Sequence, residues 1–77
     1  MKTIVFEPKA NLKRYVKMVE RFECQAGEHD TLSTFLHNTP IPEEAVMGFF
    51  QKGSLIDRDY VPLDGEVVEL YPVIDGG

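Results

Sequence analysis

The spacing of apolar positions changes several times along the chain, and each change marks a candidate element. Thr3 to Glu7 is a β-branched and aromatic run closed by Pro8, which predicts a first strand. Leu12, Val16 and Val19 then recur at helical spacing, which predicts a short amphipathic helix with Asn11 as its cap. An extended hairpin arm is the competing assignment for residues 11–19. Phe22, Cys24 and Ala26 alternate with Arg21, Glu23 and Gln25, the pattern of a strand with one buried face that ends at Gly27. Asp30 or Thr31 supplies an N-cap for a helix whose Leu32, Phe35 and Leu36 share a face. Thr39-Pro40-Ile41-Pro42 must end it, because proline lacks a donor and restricts the residue before it.

Val46 to Phe50 is a compact apolar strand followed by a turn at Lys52-Gly53, and Ser54 to Val61 reads as a short extended stretch. Leu63-Asp64-Gly65-Glu66 is a tight turn, and Val67 to Tyr71 is a last strand stopped by Pro72. One helix must then cover the apolar face of a small mixed sheet, since neither layer buries its side chains alone. Two hairpin-like arms around one crossing helix make a β-grasp arrangement, an α+β fold with four to five strands and one main helix. The expected core is Phe6, Phe22, Leu32, Phe35, Leu36, Met47, Phe49, Leu63, Val68 and Leu70. The expected organisation is one domain over residues 1–72 and a flexible tail over 73–77.

Composition narrows the class. With 77 residues, 43% of them hydrophobic and 27% charged, the chain has ordinary globular character and room for one modest core. Its single cysteine, Cys24, excludes an internal disulfide. No run approaches the ~18 apolar residues of a membrane span, and the apolar stretch after Met1 is too short for a signal peptide, so a soluble cytoplasmic protein is expected. Charge is divided: residues 1–21 hold six bases and two acids, whereas residues 22–77 hold two bases and eleven acids. The acidic body repels phosphate backbones and suits docking onto a basic protein surface, so no nucleic-acid partner is expected. The cluster Lys9, Lys13, Arg14, Lys17 and Arg21, with Tyr15 beside it, reads as a solvated face, with RNA contact as the sharper alternative.

Gly76 and Gly77 follow almost directly on the last strand. Two glycines there add no packing and cost backbone entropy, but they make a slender strip whose backbone approaches another molecule closely. Val73 to Gly77 fully extended reaches about 17 Å, enough to thread a tunnel in a partner. Gly53 to Tyr60, the turn and strand Leu63-Asp64-Gly65-Glu66-Val67-Val68-Glu69-Leu70 and the ending Val73-Ile74-Asp75-Gly76-Gly77 together resemble the ThiS/MoaD family of ubiquitin-like sulfur carriers. Phe22 to Leu32 is similar to that family's second strand, glycine turn and helix start, so the resemblance spans roughly residues 20–77. Lys52-Gly53 stands where the family often has Asn-Gly, and Asp75 where a small or apolar residue commonly precedes the glycines. The opening at residues 9–19 is closer to the molybdopterin-type carriers, whereas the short connection from Thr39 to Ala45 is closer to the thiamin type.

The resemblance implies a carrier that is a co-substrate and not itself an enzyme, with the small subunit of a molybdopterin synthase as one such role. An E1-like activating enzyme using ATP and Mg would adenylate Gly77, and sulfur would then leave a thiocarboxylate there. Transfer to a sulfur-accepting synthase, of the molybdopterin synthase large-subunit or thiazole synthase type, follows. Gly76 and Gly77 carry the chemistry; Val73, Ile74, Asp75, Phe50 and Tyr71 are the expected partner-binding residues. No bound cofactor, metal or membrane is implied. The alternatives are a β-grasp interaction module that is never activated, and a ubiquitin-like modifier whose activated end is attacked by a lysine.

The remaining chemistry-bearing residues have bland readings. Cys24 falls on the buried face and reads as structural. His29, between Glu28 and Asp30, lacks further ligands for a metal, and His37 is distant in sequence. Glu43-Glu44 reads as a solvated pair. Phe50 faces outward into a docking patch while Met47 and Phe49 face the core.

Overall fold

The computed structural model describes residues 1–74; Asp75, Gly76 and Gly77 lie outside the described residues. Five strands form one mixed sheet in the order β2-β1-β5-β3-β4, with a single α-helix. β1 (Lys2–Pro8) and β2 (Phe22–Ala26) pair antiparallel from Phe6↔Phe22 to Lys2↔Ala26. β3 (Val46–Gln51) and β4 (Ser54–Ile56) form the second antiparallel arm. β5 (Val67–Pro72) joins the arms, parallel to β1 through Val5↔Val67 to Pro8↔Leu70 and antiparallel to β3. The first and last strands are therefore inner ones, with β3 beside them, which explains their richness in β-branched and aromatic residues.

Alternation decides what each strand buries. Along β1 the inward positions are Lys2, Ile4, Phe6 and Pro8. Val68 and Leu70 from β5 and Phe49 from β3 meet them, and Phe6 lies with ring centroids 6.0 Å from Phe22 and 6.4 Å from Phe49. α1 (Leu32–His37) covers this surface with Leu32, Phe35 and Leu36, all fully buried. The Thr31 hydroxyl accepts from the Thr34 amide at its N-terminus, as its N-cap position predicts. Cys24 is buried under the helix, its thiol donating to the Phe35 carbonyl at 3.0 Å; desolvation raises its pKa, as for an inert structural thiol.

Several expectations are corrected. Residues 11–19 form neither an α-helix nor a hairpin arm but part of a 3-10 helix at Ala10–Val16. It begins after Lys9 without a side-chain cap, so Asn11 is not its cap. Lys17 and Met18 both take positive φ and turn their amides back to the Lys13 carbonyl, which stops the helix and leaves Val19 exposed. Leu12 alone of the expected stripe is fully buried. Met47 is 55% exposed because a register shift between Val46 and Gly48 puts two residues opposite one and turns Met47 out of the alternation. Leu63 is 69% exposed and Pro62 is buried in its stead. Phe22 is half-buried. Beyond Ile56 the expected extended stretch is a loop whose Tyr60 and Arg58 carbonyls accept from the Leu32 and Ser33 amides of α1. Among the described residues, no helix is long and apolar enough to cross a membrane.

Candidate partner-docking face and tail root

The face of the sheet opposite α1 is uncovered, and its apolar part gathers toward β3 and β4. Gly48 on β3 is buried beneath this surface: a Cβ there would come within 3.0 Å of Leu55 Cδ1 and 3.3 Å of Phe50 Cε1. Glycine at this position lets both side chains lie flat across the strand. Tyr71 on β5 completes the group, its ring edge-on to Phe50 with centroids 4.7 Å apart. Phe50 and Tyr71, expected from the sequence to bind a partner, thus sit side by side and half exposed. Leu55 joins them and is largely exposed, a position the sequence reading left unassigned. Aromatic side chains held in place on an open face suit protein docking.

A charged strip borders this group. Lys9 lies 3.7 Å from both Glu7 and Glu69, and Arg21 pairs with Glu7 at 2.9 Å. With Lys13 on Glu20, three of the five bases of the cluster are paired, which weakens its reading as an RNA surface; exposed pairs of this kind add about 0–1 kcal/mol each.

The turn after this face is held by Glu66. Its carboxylate accepts from the Leu63 amide at 2.6 Å, Tyr60 Oη at 2.7 Å and Gln51 Nε2 at 2.7 Å. Burial alone pushes the Glu66 pKa up, but the Gln51, Leu63 and Tyr60 hydrogen bonds and the charge of Lys2 outweigh it, so the net displacement is downward. Tyr60 moves upward, chiefly through its bond to Glu66. Lys2 shares the anchoring: alternation puts it on the buried side of β1, and its ammonium reaches the Glu28 carbonyl at 2.6 Å and the Pro62 carbonyl at 2.5 Å. A carboxylate whose folded pKa is depressed stabilises the fold above its unfolded pKa, and that contribution is lost as pH falls through the folded value. The wild-type chain is therefore expected to lose stability in acid below the usual glutamate range. Glu66→Gln should be less stable at neutral pH and show a flatter acid limb in urea titrations read by circular dichroism. Parallel acid limbs for the two proteins would refute this role.

The tail leaves from the end of β5. The Val73 amide donates to the Ala45 carbonyl at 3.0 Å, and Ile74 is 80% exposed. Ala45 closes a 3-10 turn at Glu43–Ala45 that is itself pinned. Glu43 accepts from Ser33 Oγ at 3.1 Å, meets His37 Nε2 at 2.5 Å and pairs with Arg58. Glu43 is thus a hub linking α1, the β4 loop and the tail root, a correction to its reading as a solvated carboxylate. Ser33 and His37, one helical turn apart, were the only sequence signal for it. Of the expected site residues, Val73 and Ile74 lie at this root, Phe50 and Tyr71 on the open face; Asp75, Gly76 and Gly77 lie outside the described residues. Among the described residues, no three of His, Cys, Asp and Glu are placed to hold a metal ion.

Comparison of the chain with protein-family models, curated proteins and solved structures finds no match.

Proposed function

We propose that this chain is a β-grasp sulfur carrier whose Gly77 carboxyl is activated by an E1-like enzyme and converted to a thiocarboxylate. The observation that carries the reading is the course of β5. An inner strand parallel to β1 runs past the Phe50–Tyr71–Leu55 group and releases Val73 and Ile74, exposed, toward the diglycine. The strand order, two antiparallel arms joined through a parallel central pair with one helix across them, is compatible with a β-grasp domain.

The chemistry follows from the carboxylate. Attack on it would expel oxide, so it is first made an electrophile: its oxygen attacks the α-phosphorus of ATP, and pyrophosphate leaves. Sulfide then displaces AMP and leaves a thiocarboxylate; alternatively, a persulfide gives an acyl disulfide that a partner thiol cleaves. ATP and Mg belong to the partner. This chain supplies the reacting end, a narrow approach free of Cβ atoms at Gly76 and Gly77, and the docking face. The sulfur is destined for molybdopterin, thiamin or a related product through a sulfur-accepting synthase, and the dependence on ATP makes the cytoplasm its setting.

The test is intact mass after incubation with the activating enzyme of the same cell, MgATP and a sulfur donor. An acyl-adenylate, then exchange of one oxygen for sulfur at the C-terminus, is expected. An unchanged mass would leave the non-activated interaction module. Isopeptide adducts on lysines would assign the chain as a modifier.

A further inference from the structure

The six bases of residues 1–21 are not equivalent in the fold. Lys2 is buried on backbone carbonyls, Lys9 and Arg21 pair across the open face, and Lys13 Nζ binds Glu20 at 3.1 Å. Arg14 pairs with no carboxylate among the described residues. Its guanidinium lies 5.1 Å from the centroid of the Tyr15 ring, with Nη2 donating to Tyr15 Oη at 3.2 Å, and Tyr15 packs on the core. An exposed cation is thereby held in one place, so an incoming anion would order little that is not ordered already.

That place adjoins the root of the tail. Arg14, Tyr15 and Asn11 line a notch of about 110 Å³ together with Ala45, Pro72 and Val73. We propose that this notch seats a carboxylate side chain of the activating partner, at the rim of the tunnel that takes the tail, with Arg14 as its ion-pair and hydrogen-bond donor. The inference rests on the carrier reading above and adds a second contact to it. Charge pattern selects this occupant. On the open face Glu7 and Glu69 are already paired with Lys9 and Arg21, whereas the notch displays a cation with no carboxylate partner among the described residues. A charged contact beside the tail root, added to the apolar contact at Phe50, Tyr71 and Leu55, fixes the rotation of the carrier about its tail, which one apolar patch cannot do alone. With a reach of about 17 Å for residues 73–77, Arg14 stays at the rim while Gly77 reaches the nucleotide, so its role is to orient, not to react.

The experiment measures adenylate formation, as pyrophosphate release with the cognate activating enzyme, for wild type, Arg14→Lys and Arg14→Glu over a range of salt. Arg14→Glu is expected to lower kcat/KM about tenfold or more at low ionic strength, through KM, with an unchanged melting temperature. Arg14→Lys should fall between, because lysine keeps the charge but loses the planar fork. A smaller difference between Arg14→Glu and wild type at high salt supports the ion pair. Wild-type kinetics in Arg14→Glu overturns the proposal while leaving the carrier reading intact. So does a loss of rate matched by a loss of melting temperature. A wild-type chain that releases no pyrophosphate with its activating enzyme removes both readings at once.

Discussion

Truncating Phe6 to alanine is expected to destabilise the protein by about 3–5 kcal/mol, the range for deleting a fully buried phenylalanine ring. A chain of this length has a total stability of roughly 4–12 kcal/mol, so the variant should lose about a quarter or more of it. Phe6 is fully buried on an inner strand, where its ring meets Phe22 and Phe49, one from each arm of the sheet. The cavity would therefore open where both arms join, and backbone pairing on either side resists collapse into it. Leu63→Ala and Met47→Ala are the controls, because both side chains are mainly exposed. Their cost should stay within about 0.5 kcal/mol, the ordinary range for surface substitutions. Urea denaturation followed by circular dichroism reads all three. A Phe6→Ala midpoint no lower than that of Leu63→Ala would refute this account of the core.

That contrast marks where the amino-acid pattern is informative. Period-two alternation placed Cys24 and Ala26, and a three-residue spacing placed Leu32 and Phe35, because local geometry alone decides which way those side chains point; Ile4, equally buried, was not among the expected core residues. Leu63 and Met47 are as apolar but answer to features no periodicity carries. The first sits in a turn organised by a carboxylate three residues ahead, the second at a two-against-one register shift. Alternation also hid Lys2: its position on β1 is a core position, but a lysine suggests the surface until the Glu28 and Pro62 carbonyls are seen above it. The 3-10 course of residues 10–16 depends on Lys17 and Met18 taking positive φ, which their residue types do not announce. Of the candidate site, Phe50 was legible as an outward position and Tyr71 as an expected partner-binding residue, and their contact follows from the β3–β5 pairing. Leu55, the Glu43 hub and the notch beside Arg14 were not: the first two depend on hairpin and turn geometry that periodicity does not carry, and the notch joins residues far apart in sequence.

Removing Gly76 and Gly77 is expected to abolish adenylation while leaving the melting temperature unchanged. Neither residue has a side chain to pack, and the carrier reading gives them no task within the fold. The shortened chain keeps Phe50, Tyr71 and Leu55, so it should still dock and act as a competitive inhibitor of full-length carrier, with an inhibition constant near the substrate's KM. Adding Phe50→Asp to the shortened chain tests whether the open face supplies that affinity. A charge set against Tyr71 in a desolvated contact should raise the inhibition constant about tenfold to a hundredfold, the range for losing a central aromatic anchor. The outcomes separate reagent from handle. Inhibition that survives Phe50→Asp would move docking elsewhere on the domain, and absence of inhibition by the shortened chain would place all recognition in the tail. Adenylate formed on a chain ending at Asp75 would refute the assignment of Gly77 as the activated residue, because the tail would then be two residues too short for the site the proposal requires.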